Sequence, residues 1–335
     1  MTGTRHDRHD RIPGWDQARV SAARVVVVGA GALGNEVVKN LALAGVGRIV
    51  LCDPDTVALG NLSRTVLFRQ ADIGRPKARV VAEAVAGLAP GTVVDPRVRD
   101  LVSGVGLGEL ADATVVIGCL DSTRARLQLL GRCALAGAPL VDGGTTPWGG
   151  EVRLRLTTTE PCYACTLTAE QRAESDDRWA CVSDVPGRPV PSSIVGTAIV
   201  AGWSTLVALR TVLGDPPPYR LLRVDGPSGE TSPVVVGRDP DCPFHRPLDG
   251  PVEPVAVGTH DTVRSLLAEL PAGAVPLAWA PFPRPDRGPG AVGRRTLSLR
   301  DAEPGTRLED LGVAPEEVLA VRLVEGEYRW LRLKG

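Results

Sequence analysis

A doubly wound, Rossmann-like α/β fold with a mostly parallel sheet is what this sequence predicts, and three observations carry the prediction. Residues 24–29, Arg-Val-Val-Val-Val-Gly, form an unbroken apolar run that suits a strand buried on both faces of a parallel sheet. The run enters the glycine turn Gly29-Ala-Gly-Ala-Leu-Gly34, and Leu33, Val37, Val38 and Leu41 follow at helical spacing. Strand-like and helix-like segments then keep alternating, with polar groups just past the strand ends, where open α/β sheets bind ligands.

In order, residues 48–52 read as the second strand, ending at Asp53, and 75–88 as a helix. Residues 93–98 and 114–119 read as strands, the latter with Asp121 just beyond it; 123–136 read as a helix and 139–141 as a short strand. After Trp148 the pattern changes. Residues 151–156 alternate as a strand, 157–191 are irregular, and 194–213 form a long apolar helix before strands at 219–224 and 232–236. An irregular stretch of that length inside a compact domain is usually functional or disordered. Residues 1–249 are expected as one domain, 250–258 as a linker and 259–335 as a small α+β accessory module, with a helix at 263–270 and strands at 275–279, 318–323 and 328–333.

With a net charge of −1 over 335 residues, the chain offers no bulk attraction to nucleic acid or to a membrane surface. Residues 1–11 are charged where a signal peptide would be apolar. No run approaches the ~20 apolar residues needed to cross a bilayer, so a cytoplasmic protein is expected. Seven unevenly spaced cysteines argue for thiol or metal chemistry over a disulfide framework. Among 38 basic residues only Lys39, Lys77 and Lys334 are lysine, so a lysine kept at 77 stands out against arginine.

Gly29, Gly31 and Gly34 permit a tight turn and close approach of backbone to phosphate, at the start of a helix whose N–H groups attract anions. Asp53, roughly twenty residues on, is placed to accept hydrogen bonds from ribose hydroxyls. A nicotinamide dehydrogenase would share all of this. The next stretch separates the readings: Asp53-Pro-Asp55, then Asn61-Leu-Ser-Arg64, then Asp72-Ile-Gly-Arg-Pro-Lys77. Hydride transfer has no use for a cluster of phosphate-binding side chains here. Triphosphate cleavage does, because charge builds on the departing pyrophosphate and guanidinium and ammonium groups neutralise it. Arg64 would supply planar bidentate contacts and Lys77 a point charge, while Asp121 is placed to hold a magnesium ion between phosphates.

Taken in order, these residues resemble the ThiF/MoeB/HesA family, bacterial relatives of the ubiquitin-activating enzymes. The likeness covers roughly residues 8–245 and rests on five elements in family order: G-x-G-x-x-G, D-x-D-x-V, N-L-x-R, D-I-G-x-x-K-A and C-x-D-S. It implies a nucleotide site of Gly29, Gly31, Gly34, Asp53, Asp55, Asn61, Arg64 and Lys77, with Asp53 on ribose, Asn61, Arg64 and Lys77 on phosphates, and Asp121 on magnesium. Arg8-His-Asp-Arg11 is similar to the family's R-Y-x-R segment, which implies that Arg11 reaches the triphosphate of a neighbouring protomer in a homodimer. The other reading of Arg11 is a residue of a disordered basic tail. One departure concerns the partner: members acting on small sulfur carriers usually read N-L-x-R-Q, and here Thr65 follows Arg64.

Cys162-Tyr-Ala-Cys165 and Cys242-Pro-Phe-His245 have the spacing of two zinc knuckles. Together they read as a closed, tetrahedral Zn²⁺ site that clamps the crossover region and keeps no open position for catalysis. The resemblance agrees in position, since the family often carries two C-x-x-C pairs there, the histidine being this chain's variation. Cys181, with Arg178 able to favour its thiolate, looks like the cysteine that some members place in this loop for thioester or disulfide chemistry. A plain loop or core cysteine is the other reading. Cys52, Cys119 and Cys133 read as core.

The expected reaction is adenylation, in which the C-terminal carboxylate of a ubiquitin-like or sulfur-carrier protein attacks the α-phosphate of ATP and releases pyrophosphate. Arg11, Arg64, Lys77 and Asp121 are the expected catalytic groups, with Cys181 a candidate acceptor of the acyl group. The expected cofactors are ATP, Mg²⁺ and Zn²⁺, and any sulfur delivery is expected to come from another protein. Open alternatives are activation of a ribosomal peptide's C-terminus, a nicotinamide-dependent oxidoreductase and a non-catalytic scaffold.

Overall fold

Alternate valines of the first strand bury on opposite faces of one sheet, Val25 and Val27 on one side, Val26 and Val28 on the other. This strand is β1 (Arg24–Val28), near the middle of an eight-stranded sheet in a computed structural model that describes residues 5–172, 192–283 and 292–335. β2 (Arg48–Cys52), β3 (Val93–Arg97), β4 (Val115–Gly118) and β5 (Leu140–Thr146) complete its parallel part. β6 (Gly149–Arg155), β7 (Leu221–Asp225) and β8 (Glu230–Pro233) extend it in antiparallel pairs. The order β3-β2-β1-β4-β5-β6-β7-β8 reverses its winding between β1 and β4, and the crevice outside their carboxyl ends is the place where such sheets hold ligands.

Helices α1 (Gln17–Ala22), α2 (Ala32–Ala44), α3 (Lys77–Leu88) and α7 (Ile194–Leu213) contribute to the core on one face. Two short helices, α4 (Leu101–Gly104) and α5 (Leu107–Ala111), cover the other with α6 (Thr123–Ala136). By length and composition α7 could cross a membrane, which corrects the expectation that no run is long enough. In the fold, Val200, Ala201, Val207 and Ala208 of α7 lie in the core, where the helix packs on α2, β5 and β6.

The C-terminal sheet has five strands in the order β11-β10-β12-β13-β9. They are β9 (Val252–Gly258), β10 (Val275–Pro283), β11 (Val292–Ser298), β12 (Val318–Arg322) and β13 (Tyr328–Lys334), and α8 (Val263–Ala268) packs its Val263 and Leu266 into their core. Residues 250–258 are therefore not a linker. β9 is an edge strand, parallel to β13, and an edge tolerates Pro254 because a proline's missing N–H can face solvent there. Nor is the module loosely tethered. Gly108 donates its N–H to the Glu316 carbonyl at 3.0 Å, and Arg132 bridges the Val105 carbonyl and Glu317 at 2.7 Å. Arg332 pairs with both Asp112 and Glu316.

The glycine turn supplies the first prediction. A Cβ on Gly34 would lie 1.9 Å from the Gly29 carbonyl oxygen, and one on Gly29, at φ +100°, 2.3 Å from the Cys119 carbonyl oxygen. Backbone must move to admit either, so Gly34→Ala should cost about 1–3 kcal/mol of stability and abolish nucleotide binding, measured by thermal melting and ATP titration calorimetry.

Candidate active site

The first strand, its turn and α2 bring three glycines to the carboxyl end of the sheet for different reasons. Gly29 and Gly34 are demanded by the protein's own backbone, as their close approaches show. A Cβ on Gly31 would meet nothing within 4 Å, so the protein's own backbone makes no such demand there. Asp53, just past β2, is buried and fixes the turn: one oxygen accepts the Ala30 N–H at 2.6 Å and the other the Asp55 N–H at 2.8 Å. Burial raises its carboxyl above the usual range, opposed by the charge of Lys77 and by those two N–H groups. Asn35 was not singled out in the sequence, yet it is fully buried and staples the site. Its amide donates to the Ala30 and Gly31 carbonyls, and its oxygen accepts the Leu67 N–H.

Lys77 reaches this cluster because two distant segments clip together. The Lys77 N–H donates to the Asp55 carbonyl, Val57 donates to Arg75, and Gly74 donates back to Val57. The clip sets Lys77 at the first position of α3 with its Nζ 2.7 Å from Asp55 Oδ2. The Lys77 side chain is 12% exposed and that of Asp55 65%, so the ammonium is held in place while its partner can turn away. Asn61 accepts the Ala58 N–H at 2.9 Å, shaping the turn that carries Arg64, whose Nη1 donates to the Gly60 carbonyl. Asp121 is exposed in the loop between β4 and α6, whose N-cap is Ser122. Two residues before it, Cys119 packs against Gly29 and donates its N–H to Val28.

Cys162, Cys165, Cys242 and His245 converge so that their ligand atoms all lie within 4.8 Å of one another. The Sγ of Cys162 is 3.6 Å from that of Cys165 and 3.7 Å from that of Cys242, and His245 Nε2 is 3.1 Å from Cys165 Sγ. A tetrahedral ion with bonds of about 2.3 Å to sulfur spaces its thiolates by about 3.8 Å, so the four fit a metal without rearrangement. His245 Nδ1 lies 2.6 Å from the Thr158 carbonyl, which leaves Nε2 free of its proton and facing the thiols. Burial raises Cys162 and Cys242. At Cys165 burial is outweighed by backbone hydrogen bonds and His245, and the thiol is lowered to about 7. Three thiols this close ionise together only around a cation.

Arg11 ends an exposed 3-10 turn (His9–Arg11), and no described contact joins it to the glycine turn of its own chain. His6 and Gln17 of the same region lie instead by Gly45, at the far end of α2. Cys181 and Arg178 lie outside the described residues. Burial raises Cys52 and Cys119 and pushes Cys133 up to about 12; Cys52 and Cys133 are buried, and Cys119 is half-buried against the core. The structure also shows a cleft of about 880 Å³ between α6 and the C-terminal sheet, with Leu127, Phe244, Trp279 and Trp330 among its lining residues. It borders the cysteine cluster, and none of Gly31, Asp53 and Lys77 lines it.

A doubly wound sheet whose switch point carries a glycine turn, a buried aspartate and a clipped lysine defines a nucleotide-using enzyme of the adenylylating class. The chain belongs to the ThiF family, whose pattern it matches over residues 5–244. It is 28% identical to the molybdopterin-synthase adenylyltransferase of Salmonella typhimurium, over 71% of this chain and 94% of that protein. It is 32% identical to the SAMP-activating enzyme E1 of Haloferax volcanii, over 71% of this chain and 87% of the other, and 29% identical to the sulfur carrier protein ThiS adenylyltransferase of Escherichia coli, over 68% and 87%. Among solved structures, Escherichia coli MccB with AMPCPP and MccA superposes with a TM-score of 0.60 at 19% identity, covering 72% of this chain and 74% of that one, a likeness of fold.

Proposed function

We propose that the protein adenylates the C-terminal carboxylate of a small ubiquitin-like or sulfur-carrier protein. The carrying observation is the clip that holds the Lys77 ammonium beside Asp55 and Asp53 at the carboxyl edge of the sheet. A carboxylate oxygen attacks the α-phosphorus, the bond to the β-phosphate oxygen breaks, and pyrophosphate leaves with the charge that Lys77 and Arg64 neutralise. The attacking group is already ionised at neutral pH, so positioning replaces a general base. Asp53 receives the ribose hydroxyls, and Gly31 lets the backbone approach the phosphates. Asp121 would hold Mg²⁺, which supplies charge neutralisation between phosphate oxygens. Cys162, Cys165, Cys242 and His245 would hold Zn²⁺ as a structural clamp.

We read the protein as a homodimer in which Arg11 serves the neighbouring protomer, because the fold places its region by the distal end of α2. Cys181 is the proposed acyl acceptor: of the other six cysteines, Cys52 and Cys133 are buried, Cys119 packs half-buried against the core, and three join the candidate metal cluster. The test is ATP–pyrophosphate exchange with small di-glycine-ended proteins and with short peptides from the same genome. Exchange that depends on one carrier protein supports the reading, and exchange with a peptide alone would move it to peptide modification. Asp121→Ala should lower exchange at least about a hundredfold; exchange that survives this change would remove Asp121 from the mechanism.

A further inference from the structure

Tyr163 sits between two cysteines of the cluster, in Cys162-Tyr-Ala-Cys165, yet its side chain meets the first turn of α6, the helix that follows the Asp121 loop. The guanidinium carbon of Arg126 lies over that ring, 5.9 Å from its centroid, and that of Arg153 lies 5.1 Å away. The Tyr163 hydroxyl points to Thr123 Oγ1, at 3.4 Å, on the first residue of α6. Arg126 spends its donors on one joint. Nη1 donates to Asp142 Oδ2 at 2.7 Å, and Nη2 donates to the Leu120 carbonyl at 2.8 Å and the Gly143 carbonyl at 2.7 Å. Leu120 immediately precedes Asp121, so one guanidinium ties that loop to β5.

The joint has little room to slip. Asp142 is buried, and its other oxygen, without a hydrogen-bond partner among the described residues, lies 2.7 Å from where a Cβ on Gly118 would stand. The nearby acid Glu151 is already paired with Arg153 at 2.9 Å, so Asp142 is the carboxylate that Arg126 keeps. The aromatic face is the remaining constraint on the guanidinium plane.

We propose that Tyr163 and Arg126 are positioning residues for the magnesium-binding loop: the ring steadies Arg126, Arg126 holds the Leu120 carbonyl, and Asp121 is presented to the Mg²⁺-bound triphosphate. This rests on the reading of Asp121 as the magnesium ligand. Partners of this kind, one step removed from an ion, commonly change metal affinity 10–100-fold when lost.

The experiment titrates Mg²⁺ into the full-length protein with ATP and reads ATP affinity by calorimetry, with zinc content and melting temperature measured on the same samples. Tyr163→Leu and Arg126→Lys should bind ATP without Mg²⁺ as the parent does, yet need about tenfold more Mg²⁺ for half-maximal tightening. Tyr163→Phe, which keeps the ring, should stay close to the parent. A Tyr163→Leu protein with zinc retained and the parent's Mg²⁺ requirement overturns the proposal. If that variant loses zinc, Arg126→Lys, outside the knuckle, decides in the same way. Asp121→Ala is the reference: an unchanged Mg²⁺ requirement there refutes the magnesium reading itself, whereas its loss there and retention in the other variants refutes only the positioning role.

Discussion

Lys77→Ala will lower ATP–pyrophosphate exchange by about 10²–10³-fold while leaving the melting temperature within a degree or two. The two halves of this result have separate physical sources. Activity falls because the ammonium meets charge that grows only as pyrophosphate departs, and a preorganised donor lost from such a site is worth about that much. Stability changes little because the ion pair given up among the described residues is with Asp55, whose side chain is 65% exposed, and pairs open to water contribute little; the attraction of Lys77 to the buried Asp53, which two backbone N–H groups also hold, is lost with it. The loss should appear mainly in kcat, with a smaller change in the KM for ATP, since the interaction strengthens in the transition state. Lys77→Arg should not rescue it. The lysine is the first residue of α3 and its side chain is 12% exposed, so a longer planar fork has no space to reach the same point. An alanine variant with parental exchange would remove the phosphate role on which the adenylation reading depends.

Much of this site was legible in the sequence because its parts are local. The glycine turn needs a strand, three glycines and a helix in succession, and β1 and α2 lie where the valine run and the helical spacing put them. The two knuckles are read from spacing alone, and the fold brings all four ligand atoms together. What escaped was carried by contacts between distant segments. Asn35 looks like any polar residue of an amphipathic helix until the fold closes the glycine turn and Leu67 around it. The Arg126–Asp142 pair joins residues sixteen apart, one on helix α6 and one on strand β5. Helices α4 and α5 are four and five residues long, too short for a 3.6-residue period to register. Residues 252–258 show the opposite failure. They read as a linker, whereas the pairing of β9 with β13 is fixed by a strand more than seventy residues later.

Cys242→Ser will release the metal and unfold the protein at lower temperature, by about 6–20 °C. Four ligands close a tetrahedral site, and removing one leaves three that hold zinc weakly against water. The remaining groups then sit in a buried place without the cation that justified them. An uncompensated buried ionic cluster costs about 3–5 kcal/mol, and in a domain of this size each kcal/mol moves the transition by about 2–4 °C. The four candidate ligands span two segments far apart in sequence, Cys162-Cys165 before α7 and Cys242-His245 after β8, so an ion held there would close the loop between them. Zinc should be present at about one ion per chain in the parent and fall well below that in the variant, while Cys133→Ser, a buried thiol outside the cluster, keeps its zinc. Protons compete with the ion for the thiolates, so affinity should fall as pH falls. Metal analysis on the two variants separates a clamp from a coincidence of four residues: equal zinc in both would leave the cluster without its ion, and a melting curve shifted only in Cys242→Ser would give the clamp its structural role.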